Sequence, residues 1–220
     1  MRRTQANADK VLNMAALPVD IEQLRSGSSD EDFQALAAVQ AELAIAFKLL
    51  AAGVRESETG FLISAYTPEH FRDFVERGGL LLAARSAVDG ALLGYLLANS
   101  GETFLLNHPT TQLLWDSPEQ ASEYGPLYSS GRFTYLDQIG VALAAHGTGI
   151  ARRLHDHFLR LVPKPVLAAV VQEPLRNKRS TEFFHRLGYR QIGMFHTAML
   201  KGLQDVRSSV LLLPDSGFDP

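Results

Sequence analysis

The sequence predicts a mixed α/β domain, and three observations predict it. Helical stripes and strand patterns alternate along the chain. An Asp-Gly turn, Asp89-Gly90, separates two apolar runs. A short glycine turn, Gly147-Thr148-Gly149, joins a strand pattern to a helical stripe. The 220 residues suit one domain with extensions, since domains usually hold about 100–200 residues. Residues 1–28 read as an N-terminal extension, 29–213 as the domain with an insertion at 101–132, and 214–220 as a C-terminal tail.

A first helix starts near Ser29, because Ser29 and Asp32 have the spacing of a capping box. Phe33, Leu36, Ala37, Leu43, Ala44, Phe47 and Leu50 recur at helical spacing, and Gly53 is its stop. A second helix opens at Thr67-Pro68-Glu69: a cap, a proline suited to the first turn, and an acid at the positive end of the dipole. Gly78-Gly79 ends it. Leu80–Arg85 and Ala91–Ala98 flank the Asp-Gly turn and form a hairpin. Residues 101–132 break the pattern with Pro109, Pro118, Gly125, Pro126 and Gly131. Phe133–Val141 is the next strand. Ile150, Leu154, Phe158 and Leu161 make a helical stripe ended by Pro163 and Pro165. Val166–Val171 is continuously apolar, as a central strand buried on both faces would be. A short helix over Asn177–Leu187 stops at Gly188. Tyr189–His196 and Ser209–Leu213 are the last strands.

Composition narrows the function. Hydrophobic residues make up 46% and charged residues 20%, enough to bury a core. The net charge of −3 argues against a nucleic-acid binder or a binder of anionic membranes. There is no cysteine, so disulfides, thiolate-bound zinc and a cysteine nucleophile are excluded. That composition suits a cytoplasmic protein. Asp9, Lys10 and Asn13 interrupt what would have to be the apolar core of a signal peptide. No uninterrupted apolar run approaches the ~20 residues of a membrane helix. His155-Asp156-His157 is no metal site, because helical residues two apart point about 200° from each other. We read it as a solvated face.

The glycine turn carries the chemistry. A helix start offers unpaired N–H groups and a positive dipole end, which together form an anion site. Gly147 and Gly149 let the backbone turn and approach a ligand without a Cβ clash. A P-loop is absent, for want of Gly-Lys-Ser/Thr. The dinucleotide fingerprint needs a small residue where Arg152 stands, although Glu173 mimics its ribose-binding acid. A dinucleotide-binding oxidoreductase therefore stays as an alternative.

The segment Val141–Ala151 resembles the acetyl-CoA-binding motif of the GNAT superfamily, Gln/Arg-x-x-Gly-x-Gly/Ala. Gly149 and Ala151 match, and His146 takes the Gln/Arg place. Downstream, Asn177-Lys178-Arg179-Ser180, then Phe184, then Gly188-Tyr189 resembles the family's second motif, Asn-x-x-Ala…Tyr…Gly-Phe. The resemblance spans residues 79–213. It implies a mostly antiparallel sheet of about six to seven strands with a splayed central parallel pair, flanked by about four helices. It implies acetyl-CoA as co-substrate, no metal, and an N-acetyltransferase acting on a primary amine of a small molecule or protein. Pantetheine would pair with the strand around Ile139 and Val141. The pyrophosphate would sit on His146, Gly147, Thr148, Gly149, Ile150 and Ala151. Asn177 would hold the pantetheine arm. Where the family often has a Tyr that protonates the leaving thiolate, this chain has Phe184, so a non-catalytic acyl-CoA-binding module is a second alternative. A homodimer is compatible with the sequence.

Direct attack on a thioester needs a route for the amine's proton and a donor for the oxyanion. Asp137 and Gln138, on the strand leading to the cofactor, are the candidate catalytic residues. Asp137 shares parity with Tyr135, Ile139 and Val141, so it also has a packing reading. Arg152 and Arg153 stand where CoA phosphates would pass. Phe61 is a candidate liner of the acceptor pocket. Residues 101–132 carry Trp115 among Glu102, Asp116, Glu119 and Glu123, a combination that would draw a cationic amine.

Overall fold

The computed structural model describes residues 18–63 and 65–215. The reading of residues 1–17 and that of 216–220 fall outside them. In chain order the strands are β1 (Val19–Leu24), β2 (Glu56–Ser57), β3 (Leu80–Ser86), β4 (Leu92–Ser100), β5 (Gln112–Trp115), β6 (Thr134–Val141), β7 (Val166–Glu173), β8 (Arg176–Asn177), β9 (Arg190–Leu200) and β10 (Leu203–Leu213). The helices are α1 (Asp30–Leu43), α2 (Ala46–Ala51), α3 (Pro68–Glu76), α4 (Gly101–Asn107), α5 (Pro118–Ser129), α6 (Ile150–Phe158) and α7 (Lys178–Arg186). In order of hydrogen bonding the main sheet runs β1-β3-β4-β6-β7-β10-β9-β5, and β2 pairs with β8 apart from it.

The chain forms two compact units. One takes residues 18–42, 66–97 and 138–161, the other 43–65, 98–137 and 162–215. The first holds β1, β3, most of β4 and the second half of β6, with α1, α3 and α6. Its helix caps follow the sequence. Ser29 and Asp32 exchange backbone bonds of 3.0 and 3.2 Å. Thr67 caps α3 with Pro68 in its first turn, and His70 completes the box. In the second unit β6 pairs with β7 in parallel over Thr134–Leu136 and Val166–Ala168. The pairs β7/β10, β10/β9 and β9/β5 are antiparallel. Its core gathers Phe104, Tyr124, Phe133, Tyr135, Ile192 and Phe195.

The structure departs from the sequence expectation in three places. The main sheet has eight strands rather than six or seven. Val19–Leu24, read as extension, is a strand paired with β3. Its inward Val19 and Ile21 alternate with Asp20 and Glu22, so the period of two was there to read. Seven α-helices are described rather than four, because the first helix breaks after Leu43 and the 101–132 segment is not a loose insertion. That segment folds as α4, β5 and α5. Its prolines misled: Pro118 sits in the first turn of α5 behind the cap Ser117, where proline is favoured. Ser100 caps α4 in the same way.

The stretch Asp30–Ala51 is long and apolar enough to cross a membrane. It is two helices, however, and Phe33, Leu36 and Ala46 on it are fully buried in protein. We read it as a pair of core helices.

Candidate active site

Strand β6 delivers the chain to the glycine turn. A single 3-10 turn, Leu143–Ala145, follows the strand. The side chain of His146 then folds back, and its Nε2 donates to the Val141 carbonyl at 2.9 Å. That bond assigns the tautomer, since a carbonyl only accepts. Thr148 Oγ1 donates to the Ala145 carbonyl at 2.7 Å. Both side chains close the turn. What remains for a ligand is backbone.

Gly147 and Gly149 stand at φ +82° and +81°, a left-handed conformation that side chains other than glycine's rarely adopt. A Cβ on either would meet nothing within 4 Å, so the space over the turn is open. Helix α6 begins without a side-chain cap. Its first helical bond is Arg153 N–H to the Gly149 carbonyl, at 3.0 Å. Among the described residues, no protein acceptor takes the N–H of Gly149, Ile150, Ala151 or Arg152. Four consecutive donors at the positive end of a helix dipole make an anion site. Ile150, Leu154 and Phe158 bury the inner stripe of α6 and hold it in place.

The arginines beside the turn are engaged elsewhere. Arg152 pairs with Asp156 on the exposed face at 3.2 Å. Arg153 Nη2 donates to the Val19 carbonyl at 2.7 Å. The solvated reading of His155 is corrected: it is buried at 1% exposure beside Phe158. His157 faces the other way and accepts from Arg160 at 3.1 Å. The two histidines diverge, as the helical angle requires.

In the other unit, Asp137 follows Leu136 on β6. Its carboxyl is raised, first by burial, against the opposing pull of the Lys201 ammonium and of His108. Lys201 stands at the exposed β9–β10 turn with φ +47°. Burial lowers its ammonium, and Asp137 pulls it back up. His108, at the end of α4, stacks on Phe104 with centroids 4.6 Å apart. An acid, an ammonium and an imidazole therefore share one neighbourhood, on the side of β6 where Tyr135 packs against Phe104. Lys201 and His108 escaped the sequence reading. Each lies far along the chain from Asp137, and only the fold brings them together.

Three of the expected site residues have close protein partners in the structure. Asn177 caps α7, its Oδ1 accepting from Ser180 N–H at 3.2 Å. Its Nδ2 donates to the Phe61 carbonyl at 3.1 Å. At 6% exposure its amide has protein partners on both sides and braces the fold. Asn177→Ala is expected to lower stability by about 1–2 kcal/mol through the lost cap, measured as a shift in urea midpoint. An unchanged midpoint with weakened acetyl-CoA binding would restore the ligand role. Phe61, offered as a pocket liner, is a core residue packed with Ala46 and Leu175. Trp115 packs edge-on against Tyr128, with centroids 6.3 Å apart, beside the core of its unit. Among the acids near it, Asp116 accepts from Gln191. Glu119 is held below the usual carboxylate range, first by Ser117 and then by its own backbone N–H. Those acids brace α5 and β9.

Phe184 is buried against Tyr189, centroids 5.0 Å apart. Burial pushes the Tyr189 phenol well up, so it stays protonated. Glu173, the ribose-like acid of the dinucleotide reading, lies 3.4 Å from Arg207. The mostly antiparallel order of the sheet is not that of a doubly wound dinucleotide fold.

The fold has counterparts among solved proteins. One is an N-acetyltransferase from Staphylococcus aureus Mu50, with 14% identity over 89% of this chain and 98% of that one, at a TM-score of 0.54. Another is NAA60 of Arabidopsis thaliana in complex with a bisubstrate analogue, with 17% identity over 90% and 99%, at 0.56. A third is yncA of Salmonella typhimurium, a putative acetyltransferase solved with its cofactor acetyl-CoA, with 14% identity over 92% and 97%, at 0.54. At such identities the likeness is one of fold. No curated protein matches the chain. The family model for the acetyltransferase (GNAT) family matches residues 51–189, more than half of the sequence and both of its motifs. The chain belongs to the GNAT family of acetyltransferases.

Proposed function

We propose that the protein transfers an acetyl group from acetyl-CoA to a primary amine by direct attack, in the cytoplasm. The observation that carries this reading is the run of four unpaired N–H groups from Gly149 to Arg152, under open space at a helix start. A pyrophosphate is the ligand that matches it: two phosphates, several acceptor oxygens and a negative charge. The turn side chains are closed on themselves, so backbone alone does the holding.

The amine must lose a proton before or during attack. Asp137 is the group we assign to that step. Burial raises its carboxyl, and a base works best when its pKa approaches the working pH. The nitrogen attacks the thioester carbon, the C–S bond breaks, and the electron pair leaves on sulfur. With Phe184 in place of a phenol, the CoA thiolate departs without a proton from that position. A thiolate is a good leaving group, so turnover survives this difference.

Titration calorimetry with acetyl-CoA, CoA and NADPH tests the ligand. Thiol release with a panel of small amines and peptide N-termini tests the reaction. Binding of acetyl-CoA with thiol release on one amine class supports the proposal. Binding without turnover on any amine returns the protein to the acyl-CoA-binding module that Phe184 suggests. Binding of NADPH alone overturns both.

A further inference from the structure

Gln138 lies on β6, the proposed cofactor strand, and its side chain meets a fully buried glutamine, Gln40; the hydrogen bonds around it fix which way its amide points. The N–H of Tyr66 can only donate, and it donates to Gln40 Oε1. Amide oxygen and nitrogen are otherwise hard to tell apart, but this contact settles Gln40. Its oxygen faces Tyr66, so its Nε2 faces Gln138 and donates to Gln138 Oε1 at 2.6 Å. Tyr95 gives a second donor to the same oxygen, at 3.1 Å. With two donors on Oε1, the Gln138 amide is locked with its NH2 turned the other way. No acceptor takes that NH2 among the described residues, and it is not one of the buried polar atoms left without a partner. It is a donor open to a ligand.

The anchors are rigid. Gln40 and Tyr95 are fully buried. The Tyr95 ring lies across Gly140, where a Cβ would come within 2.4 Å of it. A Cβ added at Gly94 would come within 2.7 Å of the Gly140 carbonyl. Two glycines thus hold β4 and the Tyr95 ring against β6. Successive hydrogen bonds in such a chain polarise one another, which strengthens the terminal donor. A primary amide neither takes nor gives up a proton near neutral pH. Gln138 is therefore no base, and its role is to donate to an oxygen.

We propose that the Gln138 Nε2 donates to the thioester carbonyl oxygen and stabilises the negative charge that forms there during attack. Gln40 and Tyr95 are positioning residues that aim it. The inference rests on the acetyl-CoA reading above. With the pantetheine amides along Ile139–Val141, the next group of the cofactor, the acyl thioester, lies level with Gln138, one residue further back on a strand that rises about 3.3 Å per residue. When the amine adds, the carbonyl π pair moves onto that oxygen. It returns as the C–S bond breaks, so the donor is needed only between the two events. A donor that acts only then lowers the barrier without tightening ground-state binding.

The wild type is first assayed for thiol release with its best amine. If it shows none, the acetyltransfer reading itself fails, and the Gln138 variants are not what failed. In an active enzyme, Gln138→Leu and Gln138→Glu are expected to lower kcat by about 10²–10³-fold, with KM for acetyl-CoA within about threefold. Gln40→Met with Tyr95→Phe frees the amide and is expected to lower kcat with the same unchanged KM, although neither residue touches substrate. A merely structural role would shift the melting temperature of these variants and leave kcat at saturation intact. Unchanged kcat in folded Gln138→Leu overturns the proposal. So does a rise confined to KM for the amine, which would assign the amide to the acceptor instead.

Discussion

Gly149→Val is expected to weaken acetyl-CoA binding by at least about 100-fold, or about 2.7 kcal/mol. Two effects act together. Gly149 sits at φ +81°, where a β-branched residue is a genuine outlier, so the backbone must rotate. Rotation turns the N–H of Gly149 and Ile150 away from their common direction. The new side chain also fills the open space over the turn, where the pyrophosphate must approach. No protein atom lies within 4 Å of that Cβ, so the loss falls on the ligand rather than on core packing. The left-handed cost of about 1–2 kcal/mol leaves a folded protein with a lower melting temperature. Calorimetry on the folded variant decides the matter. An unchanged Kd removes the turn from the site.

Asp137→Asn is expected to lower kcat by about 10²–10⁴-fold and at the same time to stabilise the fold at alkaline pH. The second half follows from the direction of the Asp137 shift. Its folded carboxyl is raised by burial, so the native state binds its proton more tightly than the unfolded chain does. Stability from this group is fully present below the unfolded pKa of about 3.9. It is lost as pH rises through the raised folded value. Asparagine never ionises, so the urea midpoint of the variant should gain on wild type from pH 5 to pH 8. Lys201 and His108, which favour the charged acid, reduce the gain without reversing it. In the wild type the acid limb of kcat/KM should lie above the ordinary carboxylate range and should vanish in the variant. A midpoint difference that shrinks as pH rises would contradict the assignment.

Local signals were legible in the sequence and long-range ones were not. The Thr67-Pro68 cap, the Asp89-Gly90 hairpin and the positive-φ stop at Gly188 are decided by neighbours a few residues away, and the structure keeps all three. The glycine turn was legible for the same reason. Chemistry at the termini of helices also belongs to local sequence, yet Asn177 shows its limit: a motif position does not tell whether an amide faces ligand or protein. The meeting of Asp137 with Lys201 and His108, and the relay from Tyr66 through Gln40 to Gln138, join residues tens of positions apart. Periodicity carries no trace of such pairings. The strand Gln112–Trp115 was hidden for another reason. Four residues are too few to show alternation, and the prolines around it read as breakers rather than as helix starts.

The bond from Arg153 to Val19 bears on an edge of the main sheet. The Pro18 carbonyl accepts from Ala87 N–H on the β3 side, so the Val19 carbonyl faces the margin that β1 forms among the described residues. Such a margin is a template for a foreign strand. The guanidinium of Arg153 sits on it and leaves that carbonyl closed to an incoming backbone. The same helix therefore leaves the amides of its first turn without a protein acceptor among the described residues and covers a sheet-edge carbonyl with a side chain on its next residue.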